Sequence, residues 1–131
     1  MNVLEKVAVG MTGEKTVMVT HDMTVQHFLN TMPAVYATPI MILHMEMVST
    51  ASIVKCLPEG YVSVGMEVNV KHLAATLVGR DVHLNSRVIE VSPKSVLFAV
   101  DAWDGDRKIG EGTHRRGVVD MAKFEKRVRA G

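Results

Sequence analysis

At 131 residues the chain is long enough for one sizeable hydrophobic core and too short for two ordinary domains, so a single domain over residues 1–131 is expected. Hydrophobic residues make up 47% and charged residues 22%, and 15 basic against 14 acidic side chains leave a formal charge of +1, which gives no electrostatic reason to expect a nucleic-acid partner. The single Cys56 allows no internal disulfide, the opening residues Asn2 to Lys6 lack the apolar run of a signal peptide, and no segment approaches the ~18 apolar residues of a membrane span. A cytoplasmic protein with no membrane partner is the expectation, and His21, His27, His44 and His83 have no spacing that implies a metal.

Glu14 to Thr20 reads as a first strand, and His21 to Pro33 as a short irregular or helical connection. From Pro39 to about Lys55 there is no Gly or internal Pro, and Ile40, Leu43, Met47, Val48, Ala51 and Val54 recur at helical spacing. Thr38 before Pro39 suits the start of this long helix, because Thr can cap free N–H groups and Pro is tolerated in the first turn. Leu57-Pro58-Glu59-Gly60 ends it. Strands follow at Tyr61–His72, Asp81–Val91, Ser95–Trp103 and Lys108–Val119, with Ser92-Pro93-Lys94 and Asp104-Gly105-Asp106 as tight antiparallel connections. Met121–Arg129 reads as a short basic helix. A strand, a long helix and a run of hairpin-linked strands predict an α+β arrangement, with an antiparallel sheet covering the helix on one face.

In the strand Tyr61–His72, Val62, Val64, Met66, Val68, Val70 and His72 alternate with polar or small residues, which predicts one buried face ending in a histidine. A proton-transferring side chain at the end of a buried stripe is a candidate acid or base; the alternative is a histidine that only caps the strand. Glu46 shares a helical stripe with Ile42, Ser49, Thr50 and Ile53, a carboxylate among apolar and hydroxyl side chains, unless it lies on a solvated face. If the helix begins near Pro39, Thr38 and Glu46 are about 12 Å apart along its axis. Either the segment after Thr38 stays irregular for a few residues, or the two flank a substrate, with room for groups from a second subunit.

Several blocks together carry a family resemblance: Val35-Tyr36-Ala37-Thr38 before the helix, Met45-Glu46 within it, Val70-Lys71-His72-Leu73-Ala74-Ala75-Thr76, then Gly110-Glu111-Gly112-Thr113-His114-Arg115-Arg116, and Lys123-Phe124. Over about Glu14 to Val128 the chain resembles the hotdog-fold thioesterases, and within them it is similar to the fluoroacetyl-CoA thioesterase group. The resemblance implies the hotdog fold, a sheet wrapped around one long central helix, and a homodimer that can pair further into a tetramer. It also implies catalytic Thr38, Glu46 and His72, with Gly65 and Arg116 at the substrate. Hydrolysis of a short or medium acyl-CoA is the implied activity, with no cofactor beyond the coenzyme A of the substrate. His72 would serve as general base, supported by Glu46 and by the Thr38 hydroxyl near the helix N-terminus.

Gly65 permits close approach of a small acyl group or marks a bulge in a bent strand. His114 reads as structural, and the glycines around it as sites of close backbone approach. Arg115, Arg116, Lys123, Lys126, Arg127 and Arg129 concentrate positive charge late in the chain, as a solvated face or as a contact for the phosphates of coenzyme A. Val25 to Met32 is shorter than the aromatic-rich lid of the fluoroacetyl-specific group and carries Phe28 as its only aromatic, so strict fluoroacetyl selectivity is not expected. A non-catalytic acyl-CoA-binding dimer and another hotdog enzyme such as a dehydratase are the competing readings.

Overall fold

Alternating burial, clearest over Asp81–Val91 and Ser95–Asp104, builds one antiparallel sheet with a helix laid across a single face. The computed structural model describes residues 2–131, with strands β1 (Thr12–Met18), β2 (Tyr61–His72), β3 (Asp81–Val91), β4 (Ser95–Asp104) and β5 (Arg107–Asp120) in the spatial order β1-β3-β4-β5-β2. Every neighbouring pair is antiparallel. The helices are α1 (Val25–Phe28), the long α2 (Thr38–Ile53), which passes into a 3₁₀ turn at Val54–Cys56, and α3 (Met121–Arg129). β1 begins and ends two residues before the predicted strand; the other strands and α3 lie where the alternation and turn residues put them.

The face of β4 formed by Val96, Phe98, Val100 and Ala102 is buried, and with Val82, Leu84 and Val88 of β3 it packs against Met41, Met45, Val48 and Ile53 of α2. This face of the helix is not the predicted one. Leu43, Met47 and Val54 remain 48%, 45% and 54% exposed. Apolar side chains occur nearly all round α2, so periodicity could not choose the face that meets the sheet.

The second departure lies in β2. A β-bulge between Gly65 and Glu67 shifts the pairing with β5, so the side-chain phase flips within the strand. His72, Val70 and Val68 lie opposite Gly110, Gly112 and His114, whereas beyond the bulge it is Gly65 and Ser63, not Val64 and Val62, that share the face of Arg116 and Val118. Met66 is 61% exposed and Val68 39%, so the uninterrupted buried stripe expected from Val62 to His72 does not form. At Gly112 a Cβ would collide with the Asn69 carbonyl and come within 2.7 Å of Val70 Cα, the close backbone approach expected of this glycine-rich segment.

Candidate active site

Ala37, in extended conformation, caps α2, and Thr38 is its first residue. The Thr38 hydroxyl is therefore not the helix cap that the sequence suggested. It lies 2.7 Å from His72 Nδ1 instead, across 34 residues of chain. β2 supplies the histidine from its last residue, hydrogen-bond paired with the β5 backbone at Gly110. His72 Nε2 is buried without a hydrogen-bond partner, while the Ala74 carbonyl is close enough to favour a proton on the ring. With its proton on Nε2, the neutral ring leaves the Nδ1 lone pair to accept the Thr38 proton. Burial lowers the His72 pKa below the ordinary histidine value, against the opposing pull of Ala74, and so keeps the imidazole neutral and able to act as a base.

Behind His72 stands Tyr36, its ring in an edge contact with centroids 6.5 Å apart. The Tyr36 hydroxyl is buried and meets His44 Nδ1 at 2.5 Å, and burial pushes the phenol pKa up and the His44 pKa down. Sequence reasoning gave neither residue a role. His44 lies on the helix face that the apolar periodicity failed to select. Val25, Val35, Tyr36, Thr38, His72, Leu73, Ala74 and Ala75 line an open cleft of about 410 Å³ here.

Glu46 belongs to a different cluster. Its Oε2 lies 3.4 Å from Arg116 Nη1 and 3.9 Å from His114 Nε2, and a Cβ on Gly65 would approach it to 2.8 Å. Arg116, 7% exposed, donates to Ser63 Oγ (2.8 Å), to the Ser63 carbonyl (3.0 Å) and to His114 Nε2 (3.1 Å). His114 Nδ1–H in turn donates to the Glu67 carbonyl at 2.9 Å. Accepting at one nitrogen and donating at the other fixes His114 as a neutral tautomer, and burial lowers its pKa in the same sense. His114 is thus a support for Arg116. Gly65 is a bulge residue, and a Cβ there would press on the Glu46 carboxylate.

The chain therefore joins Thr38 to His72 and, separately, Glu46 to Gly65 and Arg116, with no Glu46–His72 ion pair among the described residues. With α2 regular from Thr38, the two halves are separated by about 12 Å of helix. Ser63 was missed because the bulge puts it on the face opposite to the predicted one. Lys123 and Arg127 line a groove of about 860 Å³ with Tyr61, Lys94 and Val118, at the far end of β2 from His72. Among the described residues no cluster of His, Cys, Asp or Glu is arranged to hold a metal, and no helix is long and apolar enough to cross a membrane.

His44, His72 and His114 all have pKa values lowered by burial, which fixes the sign of a pH effect on stability. As pH falls through about 6.5, the unfolded chain takes up protons at these rings before the folded one does. Stability should therefore fall on acidification from about pH 7, before the carboxylates titrate. Thermal melts at half-unit pH intervals measure it; a melting temperature flat over that window would mean that the three rings titrate alike in both states.

The family model described as fluoroacetyl-CoA-specific thioesterase matches residues 19–122. The fluoroacetyl-CoA thioesterase of Streptantibioticus cattleyicolor is 35% identical over 97 residues, covering 74% of this chain and 70% of its own. A variant of the fluoroacetyl-CoA thioesterase FlK, solved in complex with acetyl-CoA, superposes with a TM-score of 0.90 at 30% identity over 95% of this chain and 98% of that one. A hot-dog-like protein from Thermanaerovibrio acidaminovorans gives 0.91 at 28% identity over 99% and 96%. With the sheet, the central helix and the matched span in agreement, the chain belongs to the fluoroacetyl-CoA-specific thioesterase family and is a hotdog-fold thioester hydrolase.

Proposed function

We propose that the protein hydrolyses short acyl-CoA thioesters to the free acid and coenzyme A. The observation that carries this reading is the 2.7 Å contact between Thr38 Oγ1 and His72 Nδ1 at the first turn of α2. His72 Nδ1 takes the proton of the Thr38 hydroxyl, or of a water held by it, as that oxygen bonds to the thioester carbon. Pro39 has no N–H, and the Ile40 and Met41 amides donate to the Ala37 carbonyl, so the Thr38 N–H and the positive end of the α2 dipole stabilise the oxyanion that develops. The same proton passes from His72 to the coenzyme A sulfur as the C–S bond breaks; where Thr38 is the attacking group, His72 then takes a proton from a water that attacks the acyl-threonine ester and returns it to the Thr38 oxygen as the acid leaves. The thioester is already activated, so the reaction needs no resident metal or cofactor.

Glu46, Gly65 and Arg116 serve the acyl end in this proposal. Leu43, Met47, Ala51 and Val54 flank Glu46 and Arg116 along an open surface of about 400 Å³, and a two-fold homodimer would bury this apolar stripe. Such pairing lets the Glu46 half from one chain and the Thr38–His72 half from the other meet at one substrate.

In the segment Val25–Met32, Phe28 and Leu29 are 61% and 55% exposed, and Val25 alone reaches the Thr38–His72 cleft. Rejection of one substituent or methylene in an apolar pocket is worth only ~1–3 kcal/mol, and an open lid erodes it. Thiol release from acetyl-, fluoroacetyl-, butyryl- and hexanoyl-CoA should therefore be seen for several substrates with modest preference. A fluoroacetyl preference of several orders of magnitude would overturn the open-lid argument, and coenzyme A binding without thiol release would overturn catalysis.

A further inference from the structure

The buried series of β4 ends on a charge. After Val96, Phe98, Val100 and Ala102 the next residue on that face is Asp104, whose side chain is only 3% exposed. Two guanidiniums hold it: Arg80 Nε at 2.8 Å from Oδ1 and Arg107 Nη2 at 3.2 Å from Oδ2. Arg107 Nη2 also donates to the Ala75 carbonyl at 2.6 Å, which ties the pair to the loop that follows His72. Burial works to raise the Asp104 pKa, but the two arginines hold its carboxyl below the ordinary carboxylate range.

One arginine suffices to neutralise one carboxylate, so the second leaves a surplus positive charge. Both side chains are more than half exposed, at 59% and 55%, and each has further N–H groups free of Asp104. Fixed in place from behind, two guanidiniums bind an anion at little ordering cost. They line a cavity of about 510 Å³ with Val35, Ala75, Leu77 and Asp106. Val35 and Ala75 also line the Thr38–His72 cleft, so the two cavities adjoin. Asp106, exposed at the hairpin turn, brings the formal charge of the cavity's four ionised side chains to zero, but it forms no ion pair with either arginine among the described residues, so their outward N–H groups remain available to an anion.

We propose that Arg80 and Arg107 form a phosphate subsite for the coenzyme A portion of the substrate, with the pantetheine arm crossing Val35 and Ala75 and the thioester at Thr38. The assignment rests on the acyl-CoA reading above. It moves the phosphate contact away from α3, whose Lys123 and Arg127 line a groove that shares no residue with the Thr38–His72 cleft.

The test compares Arg80→Gln, Arg107→Gln and the double variant on acetyl-CoA and on acetyl-pantetheine, which lacks the phosphates. KM for acetyl-CoA should rise about tenfold or more, as expected for lost charge-assisted hydrogen bonds, with kcat little changed and acetyl-pantetheine kinetics at wild-type values. Acetyl-3′-dephospho-CoA separates the two phosphate sources. If the 3′-phosphate sits here, wild type already shows the loss and the variants add none; if the diphosphate does, the variant penalty remains in full. Equal losses on acetyl-CoA and acetyl-pantetheine would show that the arginines only support the loop, and overturn the proposal. So would an unchanged KM in the double variant, or a loss confined to Lys123→Ala and Arg127→Ala. Should the wild type release no thiol, calorimetric titration with coenzyme A carries the test: weakened or lost binding in the double variant supports the subsite, and equal binding in the two proteins, or none in the wild type, refutes it.

Discussion

His72→Ala is expected to lower kcat for acetyl-CoA by about 10²-fold or more while the protein remains folded, the loss typical of a positioned acid or base. The expectation follows from the Nδ1 contact with Thr38 at 2.7 Å and from the burial that keeps the ring neutral. His72 sits at the last residue of an edge strand, so its removal leaves the core of α2, β3 and β4 intact. Thr38→Ala removes the other half of the contact and should act in the same direction. The double variant should then be little worse than His72→Ala alone, because residues that act as one unit are not additive. Circular dichroism with steady-state thiol release measures both. A folded His72→Ala protein with undiminished turnover would remove the histidine from the chemistry and leave Thr38 with no base.

Much of the fold was legible because its signals are local. Pro93 and Gly105 punctuate the hairpins, Pro58 and Gly60 stop the helix, and β4 alternates without interruption, so strand positions and the antiparallel sheet follow from the sequence. What was not legible depends on partners distant in sequence. The bulge at Gly65–Glu67 exists only relative to β5, and valines on both sides of it imitate an unbroken alternation. Each face of α2 carries enough Met, Leu, Ile or Val to look like the core face, and the sheet selects the one with Met41, Met45 and Val48.

The same distinction divides the site. Thr38, Glu46 and His72 could be named from matched blocks, and the alternation correctly put His72 on the helix side of β2. Their grouping could not be read. The Thr38–His72 pair closes over 34 residues, and Glu46 meets Arg116 over 70, so neither contact leaves a local trace. Tyr36 with His44, and Ser63 beneath Arg116, are further products of this packing.

Arg116 tests how much of that second cluster is architecture. Its guanidinium alone satisfies Ser63 Oγ, the Ser63 carbonyl and His114 Nε2, and it faces Glu46 from a nearly buried position. Arg116→Ala leaves these acceptors and a carboxylate without their donor. Breaking a buried ion pair costs ~3–5 kcal/mol, and because Glu46 is 33% exposed and can regain water the low end applies, about 3 kcal/mol. In a chain of this size that lowers the melting temperature by roughly 10 °C. Arg116→Lys keeps the charge but lacks the planar fork that reaches Ser63 and His114 together, so it should fall between wild type and Arg116→Ala. Melting curves of the three proteins at neutral pH decide the matter. If Arg116→Ala melts with wild type while its kcat/KM falls, the arginine serves the substrate alone; if both fall together and Arg116→Lys restores half of each, the cluster holds β2 and β5 in the register that the site requires.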